Sequence, residues 1–172
     1  MLRTKQCGFL SRIGVSYSKL GNIYSAKGNL NKALEWLGKT REIFEQLRRL
    51  EPSNVNFSRN LAISYGELGD IYSAQGNLTQ ALAFYEKDFD IFESLSRLEP
   101  SNVDFSRHLA ISYCKLGNIY SVQRNLDNAR LYLVKGQELL SQLCEAFSDY
   151  SVFRSDLQEV KRLLKALDLN LS

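Results

Sequence analysis

Tyr17-Ser-Lys-Leu-Gly-Asn-Ile-Tyr24 returns as Tyr65-Gly-Glu-Leu-Gly-Asp-Ile-Tyr72 and again as Tyr113-Cys-Lys-Leu-Gly-Asn-Ile-Tyr120, each copy 48 residues after the last. A second segment, Leu-Glu-Pro-Ser-Asn-Val, stands at Leu50 to Val55 and at Leu98 to Val103. A fixed period of tens of residues marks a stacked array, in which each unit has an apolar face that it buries against its neighbour. Such arrays work by presenting surface, so the period directs attention to binding.

The middle copy shows how a unit is built. Phe57, Leu61, Tyr65, Leu68 and Tyr72 are spaced by 4, 4, 3 and 4, the period of one helix face, and no proline interrupts Val55 to Gln75. Pro52 cannot lie inside a helix, and Ser53 or Asn54 offers an oxygen to the free amides of the helix start. Gly76-Asn77 ends the helix, because both residue types tolerate the left-handed conformation. A second helix follows from about Thr79, with Ala81, Leu82, Tyr85, Phe89, Phe92, Leu95 and Leu98 as its apolar stripe. Apolar and polar residues nowhere alternate over a strand length, so an all-α fold is expected. Gly21, Gly69 and Gly117 sit mid-helix, where glycine costs about 1 kcal/mol relative to alanine. Close approach of the second helix, at Ala33, Ala81 and Ala129, is the compensation expected.

In type and spacing, Tyr65, Leu68, Gly69, Tyr72, Gly76, Ala81 and Tyr85 resemble the tetratricopeptide repeat pattern. That repeat is ordinarily about 34 residues long, so the units here look like the long-helix variety found in bacterial multi-repeat interaction proteins. The resemblance implies an α-α superhelix, a right-handed solenoid of three antiparallel helix pairs. It also implies that the first helices of the pairs line a concave groove. Two departures are local: Thr40, Asp88 and Gly136 replace the small alanine late in the second helix, and Arg124 replaces the loop glycine.

The expected units are about 5–52, 53–100 and 101–148, within a single domain of residues 1–172. Turns are expected near Gly28, Pro52, Gly76, Pro100, Asn125 and Asp149. A capping helix over 150–168 would place Phe153, Leu157, Val160, Leu164 and Leu167 on one side. Lys161 and Lys165 stand there where Tyr65 and Gly69 would be, so no further helix docks. No comparable polar cap precedes the first unit, where Phe9, Leu10 and Ile13 form an unprotected face, so the unit is expected either to follow sequence missing from this chain or to meet a partner or a second copy. Phe9 and Arg12 fall in the frame of Phe57 and Asn60, and Leu2 in that of Leu50.

A net charge of +3 over 172 residues implies no polyanionic partner. Arg3, Lys5, Arg12, Lys19, Lys27 and Lys32 all precede the first acid, Glu35. They read as scattered around the helix, a solvated face, with a phosphate or acidic-peptide surface as the alternative. No aromatic and basic residues interleave along one face, so nucleic acid is not expected. Cys7, Cys114 and Cys144 have no paired spacing and read as packing residues of a cytoplasmic protein. Arg12 interrupts the apolar start, so no secretory signal is expected. No stretch approaches the roughly 20 apolar residues of a membrane span.

A single histidine, His108, cannot form a histidine metal cluster, and no phosphate loop, nucleophile elbow or ligand spacing occurs. No enzyme activity, metal or cofactor is expected. The concave face is placed by the repeat frame: Val15, Lys19 and Asn22, then Ile63, Glu67 and Asp70, then Ile111, Lys115 and Asn118. Gly66 is expected on this face, where leucine would be accommodated. An aliphatic row suits apolar side chains of a partner, and asparagine can donate to and accept from its backbone. Lys19, the Glu67 and Asp70 pair, and Lys115 suggest a positive-negative-positive order that selects a mixed-charge segment. Charge reversal at Glu67 and Asp70 should leave the fold intact. The expected function is a non-catalytic protein-protein interaction module, the alternative a structural or self-associating fragment of a larger multi-repeat signalling protein.

Overall fold

The computed structural model describes residues 2–169, with side chains from Lys5 onward, so Leu2 and Arg3 as side chains lie outside the described residues. Seven helices follow one another: α1 (Leu2–Ala26), α2 (Leu30–Leu50), α3 (Val55–Ala74), α4 (Leu78–Leu98), α5 (Val103–Val122), α6 (Leu126–Ala146) and α7 (Ser151–Leu169). No strand occurs among the described residues. All six turns fall where the punctuation residues place them.

The helix starts have one recurring cause. Asn29, Asn54, Asn77, Asn102 and Asn125 each accept, through the side-chain oxygen, a backbone N–H three residues on. This satisfies one of the amides that a helix start leaves without a partner. Gly28 and Gly76 take φ of 73° and 75° in the turns, and Arg124 keeps the same left-handed turn at φ 62°. The missing glycine therefore leaves the turn in place and puts strain on Arg124.

The chain divides into two compact units, Met1–Ile91 and Phe92–Ser172. In the first, a Cβ built on Gly14 would lie 2.8 Å from Phe44, and one on Gly21 would lie 2.6 Å from Leu37. As the position on α1 rises the position on α2 falls, so the pair is antiparallel. Gly69 meets Tyr85 in the same way, at 2.5 Å, and the rings of Tyr72 and Phe84 stack at 5.4 Å. Ala33 and Ala81 are fully buried at the crossings. The mid-helix glycines thus mark close helix approach, as their cost implied.

In the second unit, Gly117 would meet Leu133 at 2.6 Å. Ala110, Ala129, Leu133, Leu140 and Leu143 form a core that Phe153, Val160 and Leu167 of α7 complete. Gly136 would meet Cys114 Sγ at 2.9 Å and the Ala110 carbonyl at 3.2 Å.

Leu98 and Gly66 differ from expectation. Leu98, assigned to the α4 stripe, is exposed, because it is the last residue of the helix. Gly66, assigned to an open groove, is buried. Its counterpart one period on, Cys114, lies against Gly136 of α6.

Candidate functional site

In the second unit, Ile111, Cys114, Lys115 and Asn118 are three, four or seven residues from Ile111, the spacing that puts side chains on one helix face. On α7, Asp156, Glu159, Arg162 and Leu163 form a facing row. Between these rows lies a cleft of about 330 Å³, floored by Leu140 of α6. The Arg107 guanidinium donates to Asp156 at 2.7 Å and so ties α5 to α7 beside it. Arg162 donates twice to Glu159, at 2.8 and 2.6 Å, which holds that carboxyl below its ordinary pKa. Both carboxylates of the rim therefore already have cationic partners.

Burial, with the Asp156 and Glu159 charges adding to it, pushes the Cys114 thiol up to about 12. It stays protonated at neutral pH and serves as an apolar wall, not a nucleophile. No group of three or more His, Cys, Asp and Glu that could hold a metal occurs among the described residues. His108 stacks on Phe92 at 4.6 Å, a packing role. What the cleft offers is an apolar pocket of side-chain size with an amide, Asn118, exposed at its edge.

The first unit treats the same register positions differently. Val15 and Lys19 are exposed on α1, but Asn22 donates to Glu67 at 2.7 Å and Ser18 donates to the same carboxylate at 2.9 and 3.0 Å. Glu67 thus bridges α1 and α3. Asp70 accepts from Tyr85 of α4 at 2.9 Å, and Ile63 is half-buried. Here the polar row binds its own neighbours. The frame-mate of Glu67 in α7 is Leu163, which can accept nothing from Asn118, and there the seam is open.

Ile111, Lys115 and Asn118, named from the repeat frame, line the α5 side of this cleft, whereas the α7 side and Leu140 were not named. The available signal was that α7 keeps the frame of α3, which aligns Leu163 with Glu67. Another missed feature is an aromatic and basic cluster. Lys39 sits 4.4 Å from the Trp36 ring, Lys87 sits 5.4 Å from Phe84, and Lys135 sits 5.8 Å from Tyr113. Basic and aromatic residues do adjoin in each repeat, where the lysines lie over the chain's own rings.

Residues 12–94 match the family model described as tetratricopeptide repeat. Residues 12–94 are similar to tetratricopeptide repeats. Among solved structures, BtubC (BKLC) from P. vanneervenii is similar, with a TM-score of 0.51 and 18% identity over 90% of this chain. The match covers 64% of that chain, so the present chain spans under two-thirds of its length. At that identity the likeness shows the fold. The N-terminal domain of stress-induced protein-1 (STI-1) from C. elegans gives a TM-score of 0.45 and 17% identity, covering 90% of this chain and 96% of that one. No curated protein sequence matches significantly. Tetratricopeptide repeats are generally protein-protein interaction modules, and no described helix is long and apolar enough to cross a membrane.

Proposed function

We propose that this chain binds a segment of another protein in the cleft between α5 and α7. One apolar side chain of the segment enters between Ile111, Cys114, Leu140 and Leu163, and its backbone bonds to Asn118. One observation carries the reading. Three residues chosen from the repeat frame alone, Ile111, Lys115 and Asn118, line one cleft, while the equivalent seam of the first unit is closed by Glu67.

Peptides selected from a random displayed library on the full chain test this. The selected peptides should share an apolar residue, and their affinity should fall at least tenfold with Leu163→Glu and severalfold with Asn118→Ala. Peptides whose affinity neither substitution changes would place the binding surface elsewhere.

A further inference from the structure

We propose that the notch between α2 and α3 binds a phosphorylated side chain of another protein through the guanidiniums of Arg48 and Arg49. The notch, of about 550 Å³, is lined by Glu45, Arg48, Arg49 and Pro52 on one side and by Leu61 and Tyr65 on the other. Neither arginine has an ion pair among the described residues. The carboxylates close by are engaged elsewhere: Glu45 accepts from the Tyr65 hydroxyl and Glu51 from the Asn54 side chain, each at 2.9 Å. Arg41 adds a third positive charge. Its ion pairs, to Glu42 at 3.6 Å and to Glu45 at 3.7 Å, are long, and its buried Nε has no hydrogen-bond acceptor among the described residues. Burial and the Glu45 bond raise the Tyr65 phenol while the Arg41 and Arg48 charges act against them, so both guanidiniums stand within electrostatic reach of that hydroxyl.

Basic residues in a last helical turn suit the helix dipole, but that alone does not ask for this cluster. α4 ends with Arg97 alone, paired with Glu93 at 3.0 Å, and α6 has no basic residue in its last turn. One and two periods on, Arg41, Arg48 and Arg49 give way to Phe89, Ser96 and Arg97, then to Gln137, Cys144 and Glu145. The excess charge is therefore a departure of the first repeat from the shared frame. Guanidiniums hold oxyanions through paired N–H bonds. Two of them without partners match the charge of about −1.5 to −2 on a phosphomonoester, where a single carboxylate would neutralise only one. Arg48, Arg49 and Pro52 are exposed, so the notch is open to solvent. A free small molecule would stay largely hydrated there, whereas a phosphate carried by a protein chain adds that chain's contacts on Leu61 and Pro52 to its own.

The test uses the full chain and two pools of peptides, random around one fixed serine that is phosphorylated in one pool and unmodified in the other. Only the phosphorylated pool should be retained, with binding that weakens as salt rises. Measured by fluorescence anisotropy, the affinity of a retained peptide should fall at least tenfold with Arg48→Gln combined with Arg49→Gln. Lys5→Gln combined with Lys19→Gln removes the same total charge elsewhere and should change it less than twofold. Leu163→Glu, in the cleft, should leave it unchanged. All four basic side chains are exposed, so circular dichroism should show unchanged helicity. Equal retention of the two pools, or equal losses for the two double variants, overturns the proposal. So does displacement of the peptide by inorganic phosphate at a concentration equal to the peptide's own Kd, since the notch would then hold a free anion.

Discussion

Gly69→Ala should destabilise this protein, although alanine is the better helix former. A Cβ at residue 69 would lie 2.5 Å from Cε1 and 2.6 Å from Cδ1 of Tyr85. The ring cannot simply swing aside, because it is buried and its hydroxyl is held by Asp70 at 2.9 Å. Overpacking of this kind costs about 1 to 3 kcal/mol, and the close contact puts Gly69 toward the upper end. Replacing a helical glycine by alanine returns about 1 kcal/mol. The net expectation is a loss of about 1 to 2 kcal/mol. Gly38→Ala in α2 is the control: nothing lies within 4 Å of a Cβ there, so only the propensity gain of about 1 kcal/mol remains. Urea denaturation followed by circular dichroism should thus move the two midpoints in opposite directions. Adding Tyr85→Ala to Gly69→Ala should cost less than the sum of the single changes, since the ring that clashes is gone. A Gly69→Ala midpoint at or above wild type would refute the close-approach account of these glycines.

Arg124→Gly should stabilise by about 1 kcal/mol, because it relieves a left-handed residue, and a raised urea midpoint with unchanged helicity would show it. Reversing Glu67 and Asp70 to lysine, expected from sequence to spare the fold, should instead lower stability by about 1 to 3 kcal/mol. The change removes the acceptor of Ser18 and Asn22 and the acceptor of the Tyr85 hydroxyl; an unchanged midpoint would show that these bonds contribute nothing. Burial first, then the hydrogen bond to Glu45, raises the Tyr65 phenol from its ordinary 10.0 to about 12. Stability is therefore full below pH 10, where both states hold the proton, and falls as pH rises through about 12, as the unfolded chain loses it first. Burial raises Tyr85 as well. Tyrosinate absorbance should show a late fraction that titrates together with loss of helicity, and a single early titration of all tyrosines would contradict this.

Helices and turns could be read from the chain because each is specified locally. Apolar spacing of three and four sets a helix face, and Asn after Gly or Pro stops one helix and starts the next. The glycine contacts could be read for a related reason: a costly residue repeated at one register position implies a neighbour close to it. Gly66 shows the limit of the method. Glycine on a face assigned as open looks permissive, and its burial depends on the facing helix of the pair, which local spacing does not describe.

The candidate site divides along the same line. Its α5 wall lies within one helix face and follows from the frame. Its α7 wall depends on what a single position does across a seam. Glu67 and Leu163 occupy equivalent places on helices that carry the same register, Glu67 facing Ser18 and Asn22 of α1 and Leu163 lying across the cleft from Cys114 and Asn118 of α5. The carboxylate bonds Ser18 and Asn22 and closes its seam, whereas leucine can bond neither Cys114 nor Asn118 and leaves a cleft. One exchange of carboxylate for alkyl therefore turns a structural contact into an apolar opening without altering the helices around it. In a repeat protein the shared frame specifies the scaffold, and departures from it at seam positions decide which surfaces are available to a partner.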